Sequence, residues 1–275
     1  MIMKEIEDRE PLERLSKDLR EAAKLMTREE VRYLVDTYYQ WQLNRMRSAS
    51  QVRALVEQKE PSALLPWLEK QSRRVEREIK KALAAWAEEQ PVGRWLGSIC
   101  GIGPALTAGL MAYIDITKAS TAGKIWSFAG LNPTVKWEKG QKRPWCAQLK
   151  TLAWKAGQSF VKVSSNENDI YGKIWRERKE LEQRKNEAGD YKDIARERAK
   201  TVGKKTEAYK YYAAGKLPPG HIHARAKRYA VKMFLSHLHE VMYLDHYKTP
   251  PPKPWVIEHG GHVDYIPPPN LAYLR

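Results

Sequence analysis

The sequence predicts a mainly α protein: an N-terminal helical hairpin or coiled arm, a helical domain built on a helix–hairpin–helix turn, and a Pro-rich extended tail. Three observations carry that reading. Apolar residues recur every three or four positions over long stretches, as in Val31, Leu34, Val35, Tyr38 and Trp41, and residues 1 to 90 show no alternating strand pattern. Caps and breakers punctuate these stretches at helical spacing. Between Leu96 and Met111, Gly101-Ile102-Gly103-Pro104 and a run of small and apolar residues read as helix, hairpin, helix.

Residues 4 to 25, with Ile6, Leu12, Leu15, Leu19 and Leu25 spaced apart, predict a loosely held helix. Thr27-Arg28-Glu29-Glu30 is a capping box that opens a long helix running through Val52 and Leu55. Glu60-Pro61-Ser62 breaks it, with Ser62 as the next cap. From there Leu68, Ser72, Val75, Ile79, Ala82 and Trp86 form a seam suited to the preceding helix or to a second copy of the chain, so 62–89 is the candidate homodimer arm; Pro91 stops it. After the hairpin helix, Ser120 or Thr121 caps a short helix with Ile125, Trp126 and Phe128, ended by Gly130. Asn166 or Asn168 caps another through Ile170, Ile174, Trp175 and Leu181, and the mixed charges of 165 to 215 suggest exposed arms. Leu217-Pro218-Pro219-Gly220 leads into a last helix, His223 to Tyr247. The domains expected are 1–90, a helical arm; 91–165, the hairpin core; 166–247, charged helices and a C-terminal helix packing on that core; and 248–275, the tail, lying along the body or reaching a partner.

Charge narrows the function. The 275 residues carry a formal net charge of +16, and self-repulsion of that size is relieved by a polyanion. No apolar run approaches the roughly 20 residues that span a bilayer, and no signal-peptide core opens the chain, so nucleic acid is favoured over membrane. Cys100 and Cys146 give no disulfide framework, which makes a reducing cytoplasm the expected compartment. A helix places ligands at i and i+3 or i+4, so His221-x-His223 and His237-x-His239 read as packing and surface histidines, with no metal site and no cofactor expected.

The hairpin is the motif suited to phosphate. Such a turn is expected to leave the amides of Ile102, Gly103 and Ala105 unpartnered at the positive end of a helix dipole, with Gly101 and Gly103 letting a backbone approach and Ile102 turned inward. Between Ile116 and Val163 the one acid is Glu138, against Lys118, Lys124, Lys136, Lys139, Lys142, Arg143, Lys150, Lys155 and Lys162. Trp126, Trp145 and Trp154 sit among apolar neighbours and are expected in the core, whereas Trp137, in a polar loop, is the candidate for base stacking. Arg225, Lys227, Arg228 and Lys232 are placed in the first turns of the last helix, where the dipole disfavours cations and a polyanion would account for them.

From about Ser62 to Tyr247 the chain resembles the C-terminal region of the DEDD-type insertion-sequence transposases, a group that includes the Piv-type DNA invertases. The resemblance rests on the coiled helix before the hairpin, on Ile99-Cys100-Gly101-Ile102-Gly103-Pro104, on Phe128-Ala129-Gly130-Leu131-Asn132-Pro133, on the basic stretch Lys139 to Arg143, and on the late helix. It implies a helical DNA-binding domain. The family's N-terminal ribonuclease-H-like domain with its four metal-holding carboxylates has no counterpart in residues 1 to 90. The loop after the Gly-Leu-x-Pro turn lacks the family's nucleophilic Ser, leaving Thr134 as its one hydroxyl.

The reading is therefore a non-enzymatic, transposase-related protein that grips DNA, duplex or branched, by its backbone with weak sequence preference. Recombination, replication or repair in a mobile element or phage is the expected setting. Two alternatives stand beside it: a recombinase completed by a partner's carboxylates or by unrecognised ones, and an RNA-binding protein, since amides and lysines do not tell the two backbones apart.

Overall fold

The computed structural model describes residues 15–60, 62–135, 137–252 and 265–274. The first half of the first predicted helix, Pro61, Lys136 and the stretch around Pro254 lie outside them. Among the described residues there are eleven α-helices, two 3-10 turns and no strand. The chain divides into two compact units. One takes the described residues up to Gly97 together with Gly103–Tyr113, and the other takes Ser98–Ile102 and the residues from Ile114 onward. This division differs from the boundaries read off the sequence, because the hairpin segment is shared out between the units.

The first unit packs α1 (Lys17–Lys24), α2 (Arg28–Glu57), α3 (Leu64–Glu88), α4 (Pro91–Gly97) and α5 (Pro104–Tyr113). The capping box forms as expected, Thr27 Oγ1 accepting from the Glu30 amide while the Glu30 carboxylate accepts from the Thr27 amide. α2 and α3 run antiparallel: Trp86 Nε1 donates to the Met26 carbonyl at 2.9 Å near one end, and Arg45 pairs with Glu76 at 2.5 Å further along. Ser72, Ala82 and Trp86 of the predicted seam are thus buried within the chain's own unit. Three boundaries differ from expectation. α1 is short, capped by Ser16; α3 begins after Ala63, with Ser62 Oγ 3.5 Å from the Leu65 amide; and Pro91 starts α4, since proline suits a first helical position. α5 lies against α2 and α3, and the Arg32 guanidinium donates to the Ala112 carbonyl at 3.0 and 2.8 Å, satisfying a helix-end acceptor.

The second unit is built on α11 (Pro219–Tyr247), against which α6 (Ala122–Phe128), α7 (Ala147–Lys162) and α8 (Tyr171–Ala188) pack, while α9 (Lys192–Thr201) and α10 (Glu207–Ala213) pair with each other. Its centre is aromatic. Phe160, Tyr171 and Phe234 meet with ring centroids 4.9 to 5.2 Å apart, one ring from each of α7, α8 and α11. α8 is not the exposed arm that its mixed charges suggested, because Tyr171, Gly172, Trp175 and Glu182 are buried. Neither Asn166 nor Asn168 caps it: the fully buried Asp169 accepts from the Gly172 amide at 2.9 Å instead.

Two buried polar groups hold this unit. His237 bridges the Tyr171 hydroxyl at 2.8 Å and the Ile266 carbonyl at 3.0 Å. A carbonyl can only accept, so Nε2 carries the proton and Nδ1 accepts from the tyrosine. The described part of the tail, 265–274, is thereby tied to α11, and Tyr265 adds a hydrogen bond to Glu240. Glu182 accepts from Arg225 at 2.6 Å, Tyr191 at 2.6 Å and Arg178 at 2.8 Å. Burial alone would raise its pKa, but the hydrogen bonds from Arg225, Tyr191 and Arg178 outweigh it and hold the carboxyl below its ordinary value.

Burial pushes the pKa of His237 down to about 4 against the usual 6.5. An unfolded chain takes up a proton near 6.5 that the folded one refuses until about 4, so stability falls as pH drops through that window, by on the order of 3 kcal/mol. Thermal unfolding followed by circular dichroism should show this decline, and His237→Gln should flatten it. Glu182→Ala strands two arginines and a buried hydroxyl, and urea denaturation should show a loss of about 3 kcal/mol.

Candidate nucleic-acid interface

The turn that joins α4 to α5 is made by Ile99, Cys100, Gly101 and Ile102, with the Ile102 amide donating to the Ile99 carbonyl at 3.0 Å. Gly101, third in the turn, has φ +89°, a conformation that needs glycine. Its carbonyl accepts from Ser159 Oγ of α7 at 2.5 Å, and a Cβ there would sit 3.0 Å from that oxygen and 3.2 Å from Val163. Asn270 of the tail holds the other shoulder, donating to the Ser98 carbonyl at 3.3 Å.

The outward-facing amide cradle is therefore corrected in part. The Ile102 amide is used within the turn, Ile102 is buried as expected, and Gly101 is pressed on α7. Ala105 is also buried. Gly103 alone of the four is exposed, with open space where a Cβ would go. The turn is a packing element first, and the signal for this, Ser159 one turn before the end of a helix, carried no local mark in the sequence.

The lysine-rich segment takes a different form. α6 ends at Phe128, Gly130 adopts φ +64°, and Asn132 Oδ1 accepts from the Thr134 amide at 3.0 Å and hydroxyl at 2.8 Å, fixing the Asn-Pro turn. In the loop that follows, Trp137 Nε1 donates to the Gln141 carbonyl at 2.8 Å, its ring meets Trp145 at 6.4 Å, and Arg143 lies over it at 5.4 Å. Lys150 sits 4.0 Å above Trp145. So Trp137, Arg143, Trp145 and Lys150 come together as a cation–aromatic cluster in which the Trp137 indole is already engaged.

Other expected residues part company. Lys118 pairs with Asp115 at 3.5 Å, while Lys124, Lys139, Lys142 and Arg228 are exposed without an ion pair among the described residues. Lys136 lies outside the described residues. Arg225 needs no external anion, since Glu182 neutralises it. α11 also begins four residues earlier than predicted, so the cations from Arg225 to Lys232 lie beyond the first turn, where the dipole penalty fades.

What brings the remaining charge together is packing on α11. α6, α7 and residues 219–239 of α11 contain no carboxylate, and α6 and α7 both pack against α11. Lys232 lies 5.0 Å over Trp126, whose Nε1 donates to the Lys232 carbonyl, and Lys227 lies 5.6 Å from the Trp154 ring. Burial lowers the pKa of Lys232, Arg228 adding to it, and burial then Lys162 lower that of Lys155. Like charges thus lie close together here.

Trp154 corrects a second expectation: it is 56% exposed, not a core residue. The buried stripe of α7 is Leu149, Leu152, Ala153, Ala156 and Phe160, and Trp154 falls on the opposite side with Lys150, Thr151 and Gln158. Helical periodicity alone would have placed it there.

With this geometry in place, residues 93–167 match the family model described as the Transposase IS116/IS110/IS902 family, a stretch running from α4 through the turn, the loop and α7. The chain is similar to transposases over that domain. Comparison with curated proteins and with solved structures found no match. Among the described residues no helix is long and apolar enough to cross a membrane, and no cluster of three or more His, Cys, Asp or Glu is placed to hold a metal.

Gly101→Ala forces a side chain into a left-handed conformation against Ser159, and differential scanning fluorimetry should show a destabilisation of about 1–2 kcal/mol. Gly103→Ala meets nothing and should leave the unfolding midpoint unchanged.

Proposed function

We propose that this chain is a transposase-related DNA-binding protein that holds the phosphate backbone on the acid-free face of α6, α7 and α11. The observation that carries the proposal is the uncompensated charge there. Lys124, Lys150, Lys227, Arg228 and Lys232 come from three packed helices with no carboxylate over the stretches concerned. Folding brings together like charges from residues far apart in sequence, which costs free energy that a polyanion would recover. The exposed Lys139, Lys142 and Arg143 extend the basic surface along the loop.

The match over 93–167 supports a transposase setting, and recombination, replication or repair of a mobile element is the process that fits it. The finer assignment to the DEDD and Piv-type group rests on the Gly-Ile-Gly-Pro and Ala-Gly-Leu-Asn-Pro motifs. The reading remains non-enzymatic: Thr134, the hydroxyl in the position of the expected loop nucleophile, donates to Asn132 and has no carboxylate or histidine among its hydrogen-bond partners. Contacts of this kind position a duplex without reading its bases, so sequence preference is weak.

Duplex binding followed by fluorescence anisotropy should weaken by two to three orders of magnitude between about 50 and about 200 mM salt, as roughly five neutralised phosphates require. The double variant Lys150→Glu, Lys227→Glu should reduce the log–log salt slope by about 2. Affinity that is flat in salt, or structured RNA outcompeting every DNA, would end the proposal.

A further inference from the structure

Among the described residues the tryptophans at 67, 137 and 154 stand out as exposed, at 47%, 37% and 56%. Their surroundings separate them. Trp67 lies two residues from Glu69, which pairs with Arg73, so the neighbouring charge is neutralised. Trp137 has its N–H on the Gln141 carbonyl, Trp145 at its edge and Arg143 across its ring. Trp154 has no hydrogen-bond partner for its N–H among the described residues, and its one ring contact is the Lys227 ammonium at 5.6 Å.

An exposed indole is not a by-product of core packing at this position. The buried stripe of α7 is complete without it, and Trp154 sits one turn from Gly157, where α7 and α11 approach so closely that a Cβ would lie 2.8 Å from Val231 and 2.9 Å from the Lys227 side chain. Gly157 lets the stem of Lys227 lie across α7, which brings its ammonium alongside the ring. Lys150, one turn back on α7, has its ammonium over Trp145, so Lys227 is the cation beside the Trp154 ring. An exposed aromatic plane with a lysine ammonium alongside, on helices without carboxylates there, is complementary to a nucleotide: a flat base for the indole and a phosphate for the ammonium.

We infer that Trp154 is a stacking platform for an unpaired DNA base whose neighbouring phosphate is bound by Lys227. The inference rests on the DNA-binding reading above and adds a preference to it. A paired base inside a duplex hides its face in the stack, so a platform of this kind favours single-stranded, melted or branched DNA over continuous duplex. The role expected of Trp137 passes to Trp154.

The test compares a labelled oligo-dT, which cannot pair with itself, with a blunt duplex, using the full chain as wild type, Trp154→Ala and Trp154→Phe at low salt. Circular dichroism confirms folding, which an exposed side chain should not perturb. Trp154→Ala should bind oligo-dT about 5- to 100-fold more weakly, Trp154→Phe should recover much of the loss, and duplex affinity should stay within about twofold for both. If the wild type binds duplex with the expected salt dependence while Trp154→Ala binds oligo-dT as tightly as wild type, the stacking assignment is overturned and the backbone reading survives. A uniform loss on both DNAs, or a change in oligomeric state in place of a change in oligo-dT affinity, overturns it too. A wild type that binds no DNA overturns both readings together.

Discussion

Three rings decide how the second unit is put together. Phe160, Tyr171 and Phe234 are buried at or near zero exposure, one on each of α7, α8 and α11, and edge-to-face packing of aromatics is specific in angle as well as in area. With that junction fixed, the two polar anchors fall into place around it. His237 lies one turn beyond Phe234 on α11 and reaches Tyr171, and Glu182 on α8 reaches back to Arg225 on α11. α11 is then committed to lie beside α6 and α7, with Lys232 over Trp126 of α6 and Lys227 beside Trp154 of α7.

Charge around α11 is shaped by what is removed as much as by what is left. Glu182 takes Arg225 and Arg178 out of the surface pattern. Lys227, Arg228 and Lys232 have no such counterpart, and neither do Lys124 and Lys150. In the first unit the balance differs: Arg45 with Glu76, Arg73 with Glu69 and Lys81 with Glu78 neutralise one another along α2 and α3. The second unit carries the excess of basic over acidic residues, whereas in the first the two nearly balance.

Much of the fold was legible in the residues. Periodicity placed α2, α3 and α11, the capping box opened α2, and Gly130 closed α6 with positive φ. What could not be read was anything decided by a distant partner. Ser159 on Gly101, Glu182 on Arg225 and Asp169 at the start of α8 are side chains whose importance comes from tertiary placement, and no local spacing marks them. The candidate site was read unevenly for the same reason. The lysine bias of 116–163 was plain in one dimension, but its junction with α11 needed the fold. Trp154 is the exception, since its register on α7 was available and the apolar residues beside it in sequence were given too much weight.

The turn at Gly101 has a bearing on the order in which the protein matures. Its supports lie far along the chain: the Ser159 contact spans 58 residues and the Asn270 contact 172. During synthesis α4 and α5 emerge with their unit long before either support exists, so the bend between them spends that interval undocked. Contacts at such separations carry a larger loop-closure cost than local ones. The seating of residues 98–102 thus depends on chain far downstream, so that a product cut short before α7 lacks both side chains that hold the bend.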